Sequence, residues 1–237
     1  MIDRYFSFAE WVSDSSGEYL RQREQAYFDR MVADMFGYNA AQIGLPQLDL
    51  LRASRISRRC HVDMSSMGDV QADPLHLPFP SQSLDLLVLP HALEFSVFPH
   101  QLLREAERVL IPEGNLLLSG FNPYSLWGIY HRYKQWRGQF PWHGDFVAAG
   151  RLRDWLALLS CEVVSQMSCC YVPPVVPQRW MSWFERLEMI GERGWPLGGV
   201  YFVHAIKRVQ GVRLITPRWS DQVEIAPVLR PATRAMQ

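Results

Sequence analysis

The segment from Gln71 to Gly120 constrains the fold of this chain most strongly. Within it, Leu84–Leu89 is almost entirely apolar, as is typical of a strand buried on both faces. Gln101–Leu110 follows with apolar side chains on one helical face and charged side chains on the other. Pro112-Glu113-Gly114 predicts a turn, and Asn115–Gly120 predicts a second buried strand. We therefore expect a right-handed β-α-β unit in an α/β fold.

Length and composition fit one such domain with additions at its ends. The chain has 237 residues, of which 48% are hydrophobic. Its 24 basic and 24 acidic side chains cancel, so the net charge does not imply a nucleic-acid partner. We find no signal peptide, no apolar run of the roughly 18 residues that a transmembrane helix needs, and no metal-ligand spacing among the histidines. The four cysteines contain no CxxC pair, and adjacent Cys169 and Cys170 are poorly spaced for an ordinary disulfide. With no signal peptide or transmembrane run, we therefore expect a cytoplasmic protein.

The region before the central segment is harder to interpret. Glu18–Phe36 predicts an amphipathic helix that stops at Gly37, where we expect left-handed backbone. Three strands are predicted next, at Tyr38–Gly44, Arg58–Met64 and Val70–Ala72. Only Ser65–Asp69 separates the last two strands, which is too short for a usual parallel crossover. Either the crossover helix is missing or these strand assignments are shifted.

The region after the central segment predicts further helices and strands. They are an aromatic and basic helix at Tyr124–Phe140, a helix at Arg151–Leu159, a strand at Cys161–Tyr171, a tryptophan-rich helix at Gln178–Gly191 and a last strand at Val200–Lys207. From Gly211 onward the chain reads as a loosely ordered tail. We therefore predict an N-terminal helical extension (1–36), a main domain (37–210) and a C-terminal tail (211–237).

Three motifs in the central segment occur in a fixed order. Asp73–Phe79 is similar to D-A-x-x-L-P-F, and Ser83–Leu87 is similar to S-F-D-L-V. Leu103–Gly114 is similar to L-x-E-x-x-R-V-L-x-P-G-G, with Glu113 where glycine is common. Over residues 70–120 the chain thus resembles the type 11 group of class I S-adenosylmethionine (SAM) methyltransferases. The resemblance implies SAM as cofactor and a Rossmann-like, mostly parallel seven-stranded sheet with helices on both faces and a final antiparallel strand.

The resemblance also implies where the adenosyl half of the cofactor would bind. Asp73 would accept a hydrogen bond from the adenine amine, while Pro74 and Leu75 would contact the ring. Asp63 would hold the ribose hydroxyls. The alternative is that Asp73-Pro74 is only a turn before a strand.

A second set of residues would face the sulfonium and the acceptor. The resemblance places Pro90, His91 and Leu93 in the cofactor lining. His91 and Glu94 form a titratable pair that could supply a base, or His91 could only form a hydrogen bond while Glu94 starts a helix. Asn122 could contact substrate or cap the next helix. The sequence assigns no catalytic residue.

The first glycine motif departs from the family pattern E/D-x-G-x-G-x-G. The chain has Gln42-Ile43-Gly44-Leu45-Pro46, so Gly44 is the one motif glycine and Gln42 replaces the acid. The leading hypothesis is methyl transfer from SAM to a small-molecule or lipid-like acceptor that the sequence does not name. One alternative is a non-catalytic methyltransferase-like module that binds a partner protein through Trp127, Trp136, Trp180 and Trp183. The other is a peripheral lipid or quinone methyltransferase.

Overall fold

The fold is a single seven-stranded sheet with helices on both faces. The computed structural model describes residues 8, 11–12, 17–65, 67–136, 144–171 and 198–208. The strands are β1 Asn39–Ile43, β2 Arg58–Asp63, β3 Val70–Gln71, β4 Leu84–Pro90, β5 Leu110–Phe121, β6 Cys161–Cys169 and β7 Val200–Lys207. The helices are α1 Glu18–Ala33, α2 Ala92–Phe95, α3 Pro99–Val109, α4 Leu126–Trp136 and α5 Ala149–Leu158. The predicted helix at Gln178–Gly191 and the predicted tail lie outside the described residues.

The strand order is β3-β2-β1-β4-β5-β7-β6. Neighbouring strands from β3 to β5 pair in parallel, whereas β7 pairs antiparallel with both β5 and β6. This confirms the predicted mostly parallel sheet with a final antiparallel strand. From β1 the strands β2 and β3 extend the sheet in one direction, whereas β4 and β5 extend it in the other. An open α/β sheet binds ligands at such a switch point, here between β1 and β4.

Alternating side chains of the buried strands divide the core into two layers. Ala40, Leu86 and Val88 face one side, where they join buried side chains of α1 and Trp127 of α4. Ala41, Leu87 and Leu89 face the other side, together with α3 and α5. This alternation follows from the two-residue period of a strand, and it explains why β4 is apolar throughout.

The crossovers near β2 lack helices. The described residues between β2 and β3 form turns and bends, and so do those between β1 and β2. The predicted strands are thus in place, and the crossover helix is missing. β3 has only two residues and pairs with β2 at the sheet edge after a short connection. Just after β3, the Ala72 N–H donates to the Asp63 carbonyl at 3.0 Å.

At Pro112–Gly114 and at Gly37 the structure differs from the turns that the sequence predicts. Pro112-Glu113-Gly114 is an irregularity inside β5, because Leu84 pairs with Leu110 while Leu86 already pairs with Asn115. Glu113 takes the positive φ of 63° at the position where the family has glycine. The sequence predicts left-handed backbone at Gly37, but among the described glycines only Gly44 has a positive φ. Gly37 is instead required because a Cβ there would overlap the Asp85 side chain.

Candidate functional site

A cleft opens at the carboxyl ends of β1 and β2, beside α2. Its empty volume, which includes space open to solvent, is about 360 Å³. Its surface is almost entirely apolar, and Asp63 is the one acidic residue in its lining. The lining residues are Ile43, Gly44, Asp63, Met64, Pro74, Ala92, Phe95, Ser96 and Leu102.

Gly44 and Asp63, which the sequence placed on separate strands, meet in this cleft. Gly44 has φ 86°, a conformation that favours glycine, and its N–H donates to the Val62 carbonyl at 2.8 Å. Asp63 is only 6% exposed, and its Oδ2 accepts a hydrogen bond from the Ser65 N–H at 2.9 Å and another from the Ser65 hydroxyl. A glycine backbone beside an oriented carboxylate fits a ribose with two hydroxyl donors.

Gln42 closes the loop that follows β1. Its side chain is fully buried, and Nε2 lies within hydrogen-bond distance of the carbonyls of Gly44, Leu45 and Leu48 at 3.0, 3.1 and 2.7 Å. Its Oε1 accepts from the Leu50 N–H at 2.9 Å. The position that carries an acid in the family pattern thus needs a donor here, because three carbonyls converge on it.

The predicted adenine segment is divided between the cleft and the core. Pro74 lines the cleft, whereas Leu75 is buried in the core layer of α3. Asp73 uses Oδ1 to accept from the Leu75 N–H at 2.9 Å, and its side chain is 47% exposed. This geometry is that of an Asx turn. Contact between Asp73 and adenine stays a prediction.

Pro90, His91 and Leu93 lie at the end of β4 and just after it, and their contact with the cofactor stays a prediction. Leu93 is buried in the core layer of α3, and neither it nor Pro90 nor His91 is among the residues that line the cleft. His91 has φ 50°, and its buried ring contacts the aromatic rings of Phe8 and Phe121. Ala92 and Phe95, the first and last residues of α2, line the cleft instead.

His91 is held between two buried carboxylates. Its Nε2 lies 2.6 Å from Glu24 Oε1, and its Nδ1 lies 2.8 Å from Glu94 Oε2. Burial opposes the charge on the ring, but the two carboxylates outweigh this effect and raise the pKa of His91 to about 10. Burial raises the pKa of Glu94, which contacts with His91 and the Phe121 N–H partly offset.

Sequence reasoning missed Glu24, although a signal exists. Glu24 lies at helical spacing from Leu20, Tyr27 and Phe28, which are buried residues of α1. A charged residue within an apolar stripe is unusual because its burial is costly without a partner. The partner, His91, is far away along the chain and could not be identified from the spacing.

Asn122 lies in the turn before α4, and the two candidate tryptophans that the structure describes differ in burial. Asn122 Oδ1 accepts from the Tyr124 N–H at 3.0 Å, and Ser125 Oγ accepts from the Gly128 N–H at 3.1 Å at the start of α4. Asn122 therefore shapes the turn before the helix, and Ser125 caps it. Trp127 is buried, and Trp136 is 82% exposed. Trp180 and Trp183 lie outside the described residues.

No described helix combines the length and hydrophobicity needed to cross a bilayer.

Comparisons with known proteins agree with this architecture. Residues 27–118 match the model of a methyltransferase domain family, the type 11 group. The uncharacterized protein YafS of Escherichia coli K12 is 37% identical over 156 residues, which span 65% of this chain and 65% of that protein.

Solved structures share the fold at low sequence identity. A SAM-dependent methyltransferase of Thermotoga maritima, described as a possible histamine N-methyltransferase, superposes with TM-score 0.64 and 16% identity, covering 86% of this chain and 100% of that one. A SAM-dependent methyltransferase of Archaeoglobus fulgidus superposes with TM-score 0.59 and 18% identity, covering 86% and 99%. Over residues 27–118 the chain is thus similar to the type 11 methyltransferase family, and its fold is that of solved SAM-dependent methyltransferases.

Proposed function

We propose that this protein is a SAM-dependent methyltransferase and that the cleft at Gly44 and Asp63 holds the cofactor. The observation that supports this most directly is the juxtaposition of these two residues beside apolar walls at the switch point of the sheet. Asp63 would bind the ribose hydroxyls, Gly44 would let the main chain approach the cofactor, and Pro74 and Phe95 would border the adenine. When bound, SAM supplies an electrophilic methyl group.

The departure from the glycine motif is compatible with this proposal. Gln42 points into the interior of its own loop and is not among the residues that line the cleft. Gly44 keeps the positive φ that the close approach of a ligand favours. The chain would thus hold the cofactor with one glycine and a loop that Gln42 closes.

The acceptor would approach from the β5 side, which is the side of α4. There Tyr124, Leu126 and Ile129, which follow β5 along the chain, present exposed apolar side chains to solvent. These side chains support an acceptor with an apolar part, either a small molecule or a lipid-like one. The reaction would take place in the cytoplasm and would depend on alignment of the acceptor with the methyl group.

Isothermal titration with S-adenosylhomocysteine (SAH) and SAM tests the cofactor site. We expect the wild type to bind both, and Asp63→Asn to weaken SAH binding by about tenfold or more, because a charge-assisted hydrogen bond is lost. The side-chain carbonyl of the introduced asparagine can still accept from Ser65, so the local turn should persist.

Asp69→Asn is the matched control. Asp69 follows the same strand and accepts from the His61 N–H at 2.8 Å, but it does not line the cleft. SAH affinity should be unchanged in this variant. If the folded wild type binds neither SAM nor SAH, the partner-binding module is favoured over the enzyme.

A further inference from the structure

Glu24 belongs to α1, outside the strands that carry the cofactor cleft, yet its carboxylate contacts the residue directly after β4. We propose that Glu24 is a positioning residue of the active site, which acts through His91 and Glu94 to hold the turn that forms one wall of the cleft. The assignment of that cleft to the cofactor rests on the proposed function. The link from Glu24 to the turn rests on the geometry alone.

When both carboxylates are ionised, the hydrogen-bond chemistry of the cluster requires a proton on each ring nitrogen. Both nitrogens of His91 face carboxylate oxygens, at 2.6 and 2.8 Å, and an ionised carboxylate only accepts. A neutral imidazole would turn a lone pair toward one of the two carboxylates. Glu24 and Glu94 together therefore favour the imidazolium form, in which both contacts are charge-assisted.

The cluster connects α1 and α2 to the end of β5 and to the segment before α5. Glu94 Oε1 accepts from the Phe121 N–H at the end of β5, and the His91 N–H donates to the Ser119 carbonyl at 3.1 Å. The Glu94 carbonyl accepts from the Asp145 N–H at 2.8 Å. Ala92 lies between the anchored residues His91 and Glu94, and Phe95 follows Glu94. Both Ala92 and Phe95 line the cleft. A change at His91 thus reaches the cleft wall through the short helix α2.

Stability alone is a poor explanation for this arrangement. Glu24, His91 and Glu94 are at most 2% exposed, and Glu24 Oε2 is a buried atom without a hydrogen-bond partner in the described structure. Buried ion clusters are often matched or exceeded in stability by apolar side chains of similar volume. Phe8 and Phe121 already pack on the ring, with centroids 5.1 and 4.3 Å from it, so an apolar layer would fit here.

The neighbouring strands contribute titratable groups that stay neutral. Burial raises the pKa of Tyr201 on β7, which faces Glu94, well above its usual range. Burial likewise raises the pKa of Cys169 on β6, which interacts with Glu24. The charge of His91 is therefore governed by the carboxylates of α1 and α2.

The test combines NMR of histidine-labelled protein with SAH titration, both between about pH 6 and pH 9, a range around the ordinary histidine pKa. The wild-type His91 ring, assigned through its absence in His91→Gln, should stay protonated throughout. In Glu24→Gln, which keeps the side-chain shape, the pKa of His91 should fall by about 1–3 units. SAH affinity should fall about 2- to 30-fold, most strongly at high pH.

Glu18→Gln is the matched control, because Glu18 lies on the same helix and pairs with Arg21 at the surface. It should leave both the His91 titration and the SAH affinity unchanged. A wild-type His91 that titrates near its ordinary pKa overturns the proposal, and so does a Glu24→Gln protein whose His91 titration and SAH affinity equal those of the wild type.

If the wild type binds no SAH, the proposed function fails and the positioning role is decided by hydrogen exchange. Faster exchange of the Phe121 amide in Glu24→Gln than in Glu18→Gln supports the role, since that amide is held by Glu94. Equal exchange rates in the two variants overturn it.

Discussion

The side-chain amide of Gln42 holds the loop after β1 in place of the usual glycine-rich turn. Its donor group faces three carbonyls, and Leu45 in the same loop takes a φ of 46° that is uncommon for a bulky side chain. The loop therefore keeps its course by a buried hydrogen-bond network, whereas a run of glycines would rely on backbone freedom.

This network predicts that restoring the family's acid will harm the fold. Gln42→Glu removes the donor and places a carboxylate against three carbonyls, which should lower the free energy of unfolding by about 3 kcal/mol or more at neutral pH. Urea denaturation monitored by circular dichroism measures it. Gln47→Glu, at an exposed position of the same loop, should be nearly neutral. A variant as stable as the wild type would contradict the role assigned to Gln42.

The junction of α1 with β1 depends on a close approach between backbone and side chain. Asp85 at the start of β4 accepts from the N–H groups of Tyr38 and Asn39 at 3.0 and 2.9 Å, while its side chain fills the space beside Gly37. This contact ties the segment between α1 and β1 to the start of β4.

Gly37→Ala should therefore destabilise the protein by about 1–3 kcal/mol, because the added methyl group overlaps the Asp85 side chain. The matched control is Gly150→Ala in the first turn of α5, where a Cβ meets nothing within 4 Å. That change should stabilise the helix by roughly 0.5–1 kcal/mol. Denaturant midpoints of the two variants should thus move in opposite directions, and equal shifts would refute the close-contact explanation.

The molecule as a whole contains a buried charge cluster that couples its stability to pH. The pKa of His91 is raised to about 10 in the folded protein, above the ordinary value of about 6.5. A group raised in this way stabilises the fold fully below pH 6.5, and its contribution is lost as the pH rises through 10. Glu94, whose pKa is also raised, acts in the same direction.

We expect the difference in unfolding free energy between wild type and His91→Gln to shrink as the pH rises from 6.5 toward 10. Urea denaturation across this range measures the difference. A difference that stays constant or grows with pH would show that His91 is not charged in the folded protein.

The local sequence predicted the β4-α3-β5 unit within a few residues. Apolar runs and helical spacing depend on near neighbours, so Leu84–Pro90 and Pro99–Val109 could be recognised from their own patterns. The same holds for the positions of Asp63 and Gly44 at strand ends. The domain limits at 1–36, 37–210 and 211–237 stay predictions, although α1 packs directly on the sheet.

The sequence by itself determined the mostly parallel sheet and the resemblance to methyltransferases, and it predicted the edge at which a cofactor would bind, because these follow from periodicity and from linked motifs. Only the tertiary structure decided that Gln42 closes its loop, that the crossover helix is absent and that Glu24 reaches His91. Glu24 and His91 are 67 positions apart, and their contact depends on which face of the sheet receives α1. That choice is made by packing of the whole core, which no local pattern encodes.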